Sequence, residues 1–138
     1  MDNIPVTKEY LNWNGDHVSF EPQGSRLCLI FLSLYCLRCV DLLPHIGDIV
    51  TKQSMDTRFV LLVDGDYETN KEMVEYFNWK MPVVQVESQE MGTQFAVYET
   101  PTVQIYSADG IRISSGIADE AKDVHFYLER ARLEGGVL

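Results

Sequence analysis

The longest apolar stretch of the chain is followed at once by an amphipathic one. Between Leu27 and Leu34 the only polar side chain is Ser33, a composition typical of a strand buried on both faces of a parallel sheet. From position 42 onwards the apolar residues recur at helical spacing, as Leu42, Leu43, Ile46, Ile49 and Val50. The pattern therefore predicts a central strand that leads into a helix.

The rest of the pattern predicts alternating strands and helices. The segment Asn14–Asp16 is typical of a tight hairpin turn, because Asn and Gly tolerate positive φ, and Trp13 and residues 17–20 would flank it as short strands. Thr69 and Glu72 form a Thr-x-x-Glu capping box, so a helix is expected to begin there. Further strands are predicted at 59–63, 81–84, 103–106 and 111–114, and further helices at 91–97 and 119–133. Loops are predicted at 21–25 and 55–57, and the last helix is expected to stop at 135–136. This order predicts an α/β fold, and the length of 138 residues predicts one domain spanning 1–138.

Two cysteines, Cys36 and Cys39, lie where the predicted strand ends and the helix begins. The unpaired N–H groups and the positive dipole end of a helix start favour an anion, and a thiolate is an anion. Cys36, with its sulfur at the surface, is expected to attack as the thiolate, and Cys39, one turn further in, to resolve the mixed disulfide. Arg38 between them either adds a positive charge that stabilises the thiolate and makes the disulfide more oxidising, or is a solvated surface side chain. The pair is therefore a candidate redox-active dithiol.

Composition and charge narrow the classes of partner. The net charge of −10 and the pI near 4.6 argue against nucleic acid, because the 11 basic residues are scattered and form no stripe. No segment approaches the roughly 18 apolar residues needed to span a bilayer, so no membrane span is expected. Residues 1–11 carry neither a clear pattern nor the features of a signal peptide, which predicts a cytoplasmic protein. An exported form is expected only where an N-terminal anchor has been removed.

Two prolines give the cysteine pair a wider context. Pro44 lies five residues after Cys39 within the predicted helix, and Thr100 and Pro101 directly precede a predicted strand. A strand, a Cys-x-x-Cys pair, a helix with this proline and a later Thr-Pro together resemble the thioredoxin superfamily. The resemblance implies a three-layer fold with a mixed central sheet flanked by helices. It also implies that Pro101 is cis and faces the cysteines, and that no cofactor is needed.

The order of the elements narrows the resemblance further. The chain has a strand, a helix and a strand between the first helix and the Thr-Pro hairpin, and in this it resembles the TlpA-like and MauD-like thiol-disulfide oxidoreductases. The resemblance lies in segments 31–44, 59–65, 99–110 and 115–117. Several peptide-antibiotic gene clusters, including that of the sporulation killing factor, also encode small thioredoxin-like proteins, which this short chain resembles. That second resemblance implies a dedicated role in bacteriocin biosynthesis.

The resemblance also implies partners and supporting residues. The substrate is expected to be a cysteine-containing protein or peptide, a further redox protein is expected to recycle the pair, and the protein is expected to be a monomer. Thr100 and Pro101 would present backbone groups to an extended substrate. The residues expected to support the cysteines are Tyr35, Leu37, Arg38 and Pro44.

The chain departs from the family pattern at several positions. Tyr35 stands where Trp is common, and Leu37-Arg38 stands where thioredoxins have Gly-Pro. Ile30 occupies the position at which relatives place a buried acid. Leu42 occupies the position at which some TlpA-like proteins carry glutamate, with Asp41 beside it. Without a carboxylate at the second cysteine, proton removal must use water or the substrate, which favours a slow enzyme with a dedicated partner over a general reductase.

Alternative interpretations use the same residues. A metal-binding or metallochaperone module would use Cys36, Cys39 and His45, although structural zinc normally takes four ligands. A peroxiredoxin-type peroxidase would need proline at Leu29, although Ser33 fits its motif. A catalytically silent adaptor would not need intact cysteines. The remaining candidates have structural interpretations, with Cys28 as an inert buried side chain, His17 and His45 as exposed, and Trp13 and Trp79 as core or rim aromatics.

Overall fold

Seven strands and four helices follow one another in the described part of the chain. The computed structural model describes residues 9–21, 23–53 and 56–135. The elements are β1 (Tyr10–Leu11), β2 (His17–Val18), β3 (Arg26–Ser33), α1 (Leu37–Gln53), β4 (Thr57–Asp64), α2 (Tyr67–Phe77), β5 (Val83–Gln85), α3 (Ser88–Phe95), β6 (Thr102–Tyr106), β7 (Arg112–Ile117) and α4 (Ala121–Gly135). Residues 1–8, 22, 54–55 and 136–138 lie outside the described residues. They include most of the predicted N-terminal arm, one residue of each of the two predicted loops and the second residue of the predicted helix stop. None of the described helices is long and apolar enough to cross a membrane.

A five-stranded mixed sheet has β3 at its centre. The strand order is β5-β4-β3-β6-β7, in which β3, β4 and β5 run parallel and β6 is antiparallel to both of its neighbours. Seven of the 8 residues of β3 are buried, as its apolar run predicts. Phe31 near the end of β3 lies opposite Thr102 at the start of β6. The segment that precedes β6 is therefore brought beside the segment that follows β3.

Alternate residues of the sheet face two separate apolar layers. One layer packs the sheet against α1, α2 and α4, and it contains both Ile30 and Cys39. The other layer packs it against α3 and the N-terminal hairpin, and it contains Leu29 and Phe31. Successive residues of a strand point to opposite faces, which explains why neighbours in β3 belong to different layers. The helices on both faces of a mixed sheet confirm the predicted three-layer α/β fold.

The N-terminal hairpin is present, but its turn is wider than the sequence predicts. Strands β1 and β2 pair on either side of Asn12–Asp16. The prediction that Trp13 flanks the turn as a strand is therefore wrong, since Trp13 lies within the turn and packs against the core. The N–H of Asn12 donates to the carbonyl of Asp16 at 2.8 Å and closes the wider turn. The side chain of Asn12 also accepts the N–H of Val83 at 2.8 Å, which ties the hairpin to β5.

Helix α2 begins two residues before the predicted capping box. Asp66 is its N-cap residue, and the carboxylate accepts the backbone N–H of Thr69 at 2.8 Å. The prediction that Thr69 starts the helix is therefore wrong, because the acidic side chain of Asp66 is a strong N-cap acceptor and places Thr69 at the third helical position. The same bond lowers the pKa of the Asp66 carboxyl by stabilising its charged form.

Helices α3 and α4 also differ from their predicted bounds. Helix α3 begins three residues early and ends where Ala96 adopts a left-handed φ of 58°. Helix α4 begins at Ala121, two residues later than predicted. The side chain of Asp123 accepts the N–H of Glu120 at 3.1 Å, just before the helix. Asp119 is consequently left in the loop between β7 and α4.

Candidate active site

Cys36 occupies the N-cap position of α1. Its backbone N–H donates to the carbonyl of Ser33 at 3.2 Å as β3 ends, and its own carbonyl accepts the N–H of Val40 at 3.2 Å as the helix begins. Cys39 is the third residue of the helix. Both predicted cysteines therefore lie at the junction of β3 and α1, about one helical turn apart.

The sulfur of Cys36 is partly exposed and lies among hydrogen-bonding groups. It accepts the backbone N–H of Cys39 at 3.4 Å and, as the thiol, donates to the carbonyl oxygen of Thr100 at 3.4 Å. Partial burial acts to raise the pKa of this thiol. Hydrogen bonds with the Cys39 thiol, the Cys39 backbone N–H, the Thr100 side chain and the Arg38 backbone N–H outweigh burial and lower the pKa. The more accessible of the two thiols is therefore also the more acidic.

The sulfur of Cys39 is buried. Only 1% of the Cys39 surface is exposed, and its sulfur accepts the backbone N–H of Ser33 at 3.4 Å. Burial raises the pKa of the Cys39 thiol to about 11, and the hydrogen bond and charge of Cys36 act in the same direction. The pair thus contains one accessible thiol and one protected thiol.

The surroundings of Cys39 are apolar. Among the described residues, the groups that shift its pKa are Cys36, Thr100 and Ser33, and none is a carboxylate. Ile30 and Leu42, where the resembling families place an acid, are buried in the same apolar layer as Cys39. Asp41, whose direction the sequence left open, is exposed on α1. No carboxylate of the described residues is therefore placed to take a proton from Cys39.

The Thr100–Pro101 peptide bond is cis. This segment directly precedes β6, and Pro101 is buried. The carbonyl of Pro101 accepts the N–H of Ala118 at 2.9 Å, which ties the segment to the end of β7. The carbonyl of Thr100 lies at the surface of the same segment, 3.4 Å from the Cys36 sulfur. The fold thus brings the predicted Thr-Pro element into contact with the cysteine pair.

The side chain of Arg38 joins three segments of the chain. Its Nη1 lies 2.7 Å from Oδ1 of Asp119, and its Nη2 donates to the carbonyl of Thr100 at 3.2 Å. Arg38 lowers the pKa of Cys36 through its backbone N–H. Neither sequence interpretation of Arg38 included Asp119, since 81 residues separate the two and no local pattern marks the pairing.

Exposed apolar side chains lie on the segments that carry Cys36 and Thr100. Tyr35 is 85% exposed and Leu37 is 78% exposed on either side of Cys36 in sequence. Tyr98, two residues before Thr100, is 82% exposed. Large apolar side chains grouped near one site are typical of a surface that contacts a partner.

Other residues singled out by sequence lie apart from this site or play structural parts. Pro44 and His45 are exposed further along α1. Cys28 is fully buried in β3, where burial raises the pKa of its thiol. Within the described residues, no three His, Cys, Asp or Glu side chains are grouped so that they could hold a metal ion. The metal-binding alternative therefore lacks a third ligand in this part of the chain.

Comparison with known proteins identifies the fold. No family model and no curated protein matches this sequence. A thiol:disulfide interchange protein of the thioredoxin family from Chlorobium tepidum TLS matches with a TM-score of 0.77 and 14% identity, over 99% of both chains. A secreted Mycobacterium tuberculosis disulfide oxidoreductase homologous to E. coli DsbE matches with a TM-score of 0.66 and 17% identity, over 78% of this chain and 81% of that one. StoA from Bacillus subtilis matches with a TM-score of 0.68 and 16% identity, over 83% of this chain and 90% of that one.

Identities this low establish a shared fold and nothing finer. The chain adopts the thioredoxin fold that the sequence resemblance implied. Its chemistry therefore follows from the residues of the site and not from the names of these proteins.

Proposed function

We propose that this chain is a thiol-disulfide oxidoreductase that exchanges disulfides with cysteines of a protein or peptide through Cys36 and Cys39. The difference between the two sulfurs carries the proposal, since an accessible sulfur of lowered pKa caps α1 and a buried sulfur of raised pKa lies behind it. The thiolate is the nucleophile in disulfide exchange, so the more acidic and accessible thiol attacks first. The fold shared with solved disulfide oxidoreductases supports the same conclusion.

In the reductive direction, the Cys36 thiolate attacks a substrate disulfide. A bond forms between the Cys36 sulfur and one substrate sulfur, while the other substrate sulfur leaves as a thiolate and takes a proton from water. Cys39 then loses its proton to water and attacks the Cys36 sulfur, which releases the first substrate sulfur as a thiolate. Two electrons pass to the substrate, and Cys36 and Cys39 end as a disulfide. The oxidative direction is the reverse, and a recycling partner with its own dithiol or disulfide restores the starting state.

The neighbouring residues are proposed to hold the substrate. An extended peptide would pair with the backbone of Thr100, next to the attacking sulfur, and would lie beside Pro101, whose carbonyl is already bonded to Ala118. Tyr35 and Leu37, which are exposed and apolar, would contact its side chains. Pro44 lies further along α1 and is proposed to support the shape of that helix.

The substrate is proposed to be dedicated and not general. Because no described carboxylate is placed beside Cys39, its deprotonation depends on water or the substrate, and turnover is expected to be slow. The net charge of −10 favours a neutral or basic partner. We therefore propose that the substrate is a cysteine-containing peptide, such as the precursor of a peptide antibiotic. We also propose that the chain is a cytoplasmic monomer of the TlpA-like or MauD-like branch.

Exchange with a disulfide-bonded peptide tests the proposed activity. The reduced protein should open the peptide disulfide, Cys36→Ser should abolish the covalent complex, and Cys39→Ser should accumulate a mixed disulfide at Cys36 that mass spectrometry detects. Cys28→Ala is the matched control, since it removes the third thiol and should leave both steps intact. A Cys39→Ser protein that forms no mixed disulfide, or forms it at Cys28, would contradict the proposal.

The same preparations discriminate the alternatives. Consumption of hydrogen peroxide by the protein without a thiol partner would favour a peroxidase. Stoichiometric zinc or copper binding by the reduced protein, lost in Cys36→Ser, would favour a metal-binding module.

A further inference from the structure

We propose that Asp119 is a positioning residue for this exchange reaction. Its carboxylate holds the guanidinium of Arg38 on the carbonyl of Thr100 and away from the sulfur of Cys36. The inference rests on the proposed function and assigns a role to a residue outside the Cys-x-x-Cys pair. It adds a third possibility to the two that the sequence left open for Arg38, because the fold pairs the charge of Arg38 with Asp119.

Contacts on two segments restrict the Arg38 side chain. One guanidinium nitrogen lies 2.7 Å from the Asp119 carboxylate, and the other lies 3.2 Å from the Thr100 carbonyl oxygen. Asp119 in turn follows Ala118, whose N–H is bonded to the Pro101 carbonyl at 2.9 Å. The backbone that carries the carboxylate is therefore held beside the Thr-Pro segment, and the carboxylate directs the guanidinium towards that segment.

The position of the pair matters more than its strength. Both side chains are 51% exposed, so the ion pair adds little to the stability of the fold. Arg38, the basic member of the pair, nevertheless donates to the carbonyl that the Cys36 thiol also contacts. A charge fixed at that place changes the relative free energies of the thiol and the thiolate even when it changes global stability little.

The Asp119 carboxylate offsets the charge of Arg38 in the intact site. The interactions that lower the pKa of Cys36 come from the Cys39 thiol, the Cys39 backbone N–H, the Thr100 side chain and the Arg38 backbone N–H. Removing the carboxylate leaves an uncompensated cation on a long, flexible side chain next to Cys36. That cation would then move towards the thiolate and stabilise it.

Other titratable groups lie on the segments that meet at Cys36. They are Tyr35, Cys39 and Asp41 around the start of α1, Glu99 before the Thr-Pro element, and Glu120 and Lys122 at the start of α4. Glu120 is the useful comparison, because it is adjacent to Asp119 in the same loop but lies 3.5 Å from Lys122 instead of pairing with Arg38. Its removal deletes the same charge from the loop without releasing the guanidinium.

The experiment measures the pH midpoint for alkylation of Cys36 by iodoacetamide in the reduced protein, with the modified cysteine identified by mass spectrometry. Asp119→Asn should lower the midpoint by about half a pH unit, which is roughly a threefold rise in the thiolate-to-thiol ratio. In an Arg38→Gln background, Asp119→Asn should lower the midpoint, relative to Arg38→Gln alone, by no more than half as much. Asp119→Glu should restore the original midpoint, and Glu120→Gln should leave it almost unchanged.

A second measurement keeps the inference testable if Asp119→Asn does not fold. Arg38→Gln alone leaves the Asp119 carboxylate uncompensated and should raise the midpoint, because a nearby negative charge disfavours the thiolate. An unchanged midpoint in Asp119→Asn, an equal drop in both Arg38 backgrounds, or a lower midpoint in Arg38→Gln would overturn the assignment. Alkylation needs no protein substrate, so these outcomes are independent of whether the proposed exchange occurs.

Discussion

The backbone N–H of Cys39 lies 3.4 Å from the sulfur of Cys36, so a cysteine side chain caps helix α1. In most helices an oxygen of Ser, Thr, Asp or Asn accepts this bond. A sulfur is a weak acceptor as a thiol and a strong one as a thiolate, so the bond stabilises the charged form. The same contact therefore caps the start of the helix and contributes to the lowered pKa of Cys36.

The three cysteines should differ in their reactivity towards iodoacetamide. Cys36 should be alkylated already below the ordinary thiol pKa of about 8.5, because its pKa is lowered and its sulfur is accessible. Cys39, with a pKa of about 11, should react only in strongly alkaline solution, and Cys28 only after unfolding. Peptide mapping of the reduced protein at several pH values checks this order. Alkylation of Cys39 before Cys36 would contradict it.

The reduced protein should lose stability in alkaline solution. The pKa of Cys39 is raised from about 8.5 in an unfolded chain to about 11 in the fold, so the folded state holds this proton more tightly. The stability that Cys39 contributes is complete below about pH 8.5 and is lost as the pH rises towards 11. Urea unfolding between these pH values should show a shallower decline in Cys39→Ala than in the parent protein.

Cys28 provides the comparison for the loss of stability in alkaline solution. Its pKa is also raised by burial, so Cys28→Ala should remove a separate part of the same decline. A decline that is equally steep in the parent protein and in both variants would show that neither thiol causes it.

Removal of the Asp66 carboxylate should weaken helix α2. Asp66→Ala deletes the acceptor for the Thr69 N–H, so the melting temperature should fall. Because the pKa of this carboxyl is lowered in the fold, its contribution is present above the unfolded pKa and lost as the pH falls through the folded one. The difference between parent and variant should therefore shrink in acid.

Thr69→Ala is the matched control for this cap. Its backbone N–H, which makes the bond, is kept, so its effect on the melting temperature should be smaller than that of Asp66→Ala. A larger fall in melting temperature for Thr69→Ala than for Asp66→Ala would favour the capping-box prediction.

Truncation of Ile30, at a position where the families that the sequence resembles place an acid, should cost stability. Ile30 is fully buried in the layer that also contains Cys39. Ile30→Ala should lower the free energy of unfolding by about 2–5 kcal/mol and Ile30→Val by about 1 kcal/mol. Val40→Ala on the exposed side of α1 is the control, with an expected change within about 0.5 kcal/mol. Chemical denaturation measures all three, and similar values for Ile30→Ala and Val40→Ala would contradict the burial of this position.

Local patterns were sufficient to predict β3 and the place of the cysteines. Burial on both faces imposes the apolar run of residues 27–34, in which Ser33 is the one polar residue, and the Cys-x-x-Cys spacing lies within a single turn. The start of α2 was predicted wrongly at Thr69, because Asp66 is also a residue type that caps helices and only the backbone decides between the two. The hairpin turn was predicted too narrow, because the bond from Asn12 to Asp16 closes a wider turn and the contact of Asn12 with Val83 of β5 belongs to no local pattern.

The electrostatics of the site depend on distant contacts. The sequence shows Arg38 between the cysteines, but its pairing with Asp119 requires the loop after β7 to reach the start of α1. The lowered pKa of Cys36 likewise depends in part on the side chain of Thr100, which the antiparallel pairing of β3 and β6 brings alongside. Such effects could be predicted only after the topology was known.

Equilibration of the protein with glutathione redox buffers tests the central claim most directly, with free thiols counted by mass spectrometry at each ratio. A single two-electron transition is expected, in which Cys36 and Cys39 lose their thiols together while Cys28 keeps its own. The transition should persist in Cys28→Ala and disappear in Cys36→Ser and Cys39→Ser. The absence of an internal disulfide at every ratio, or glutathione adducts on single cysteines alone, would contradict a redox pair at the start of α1.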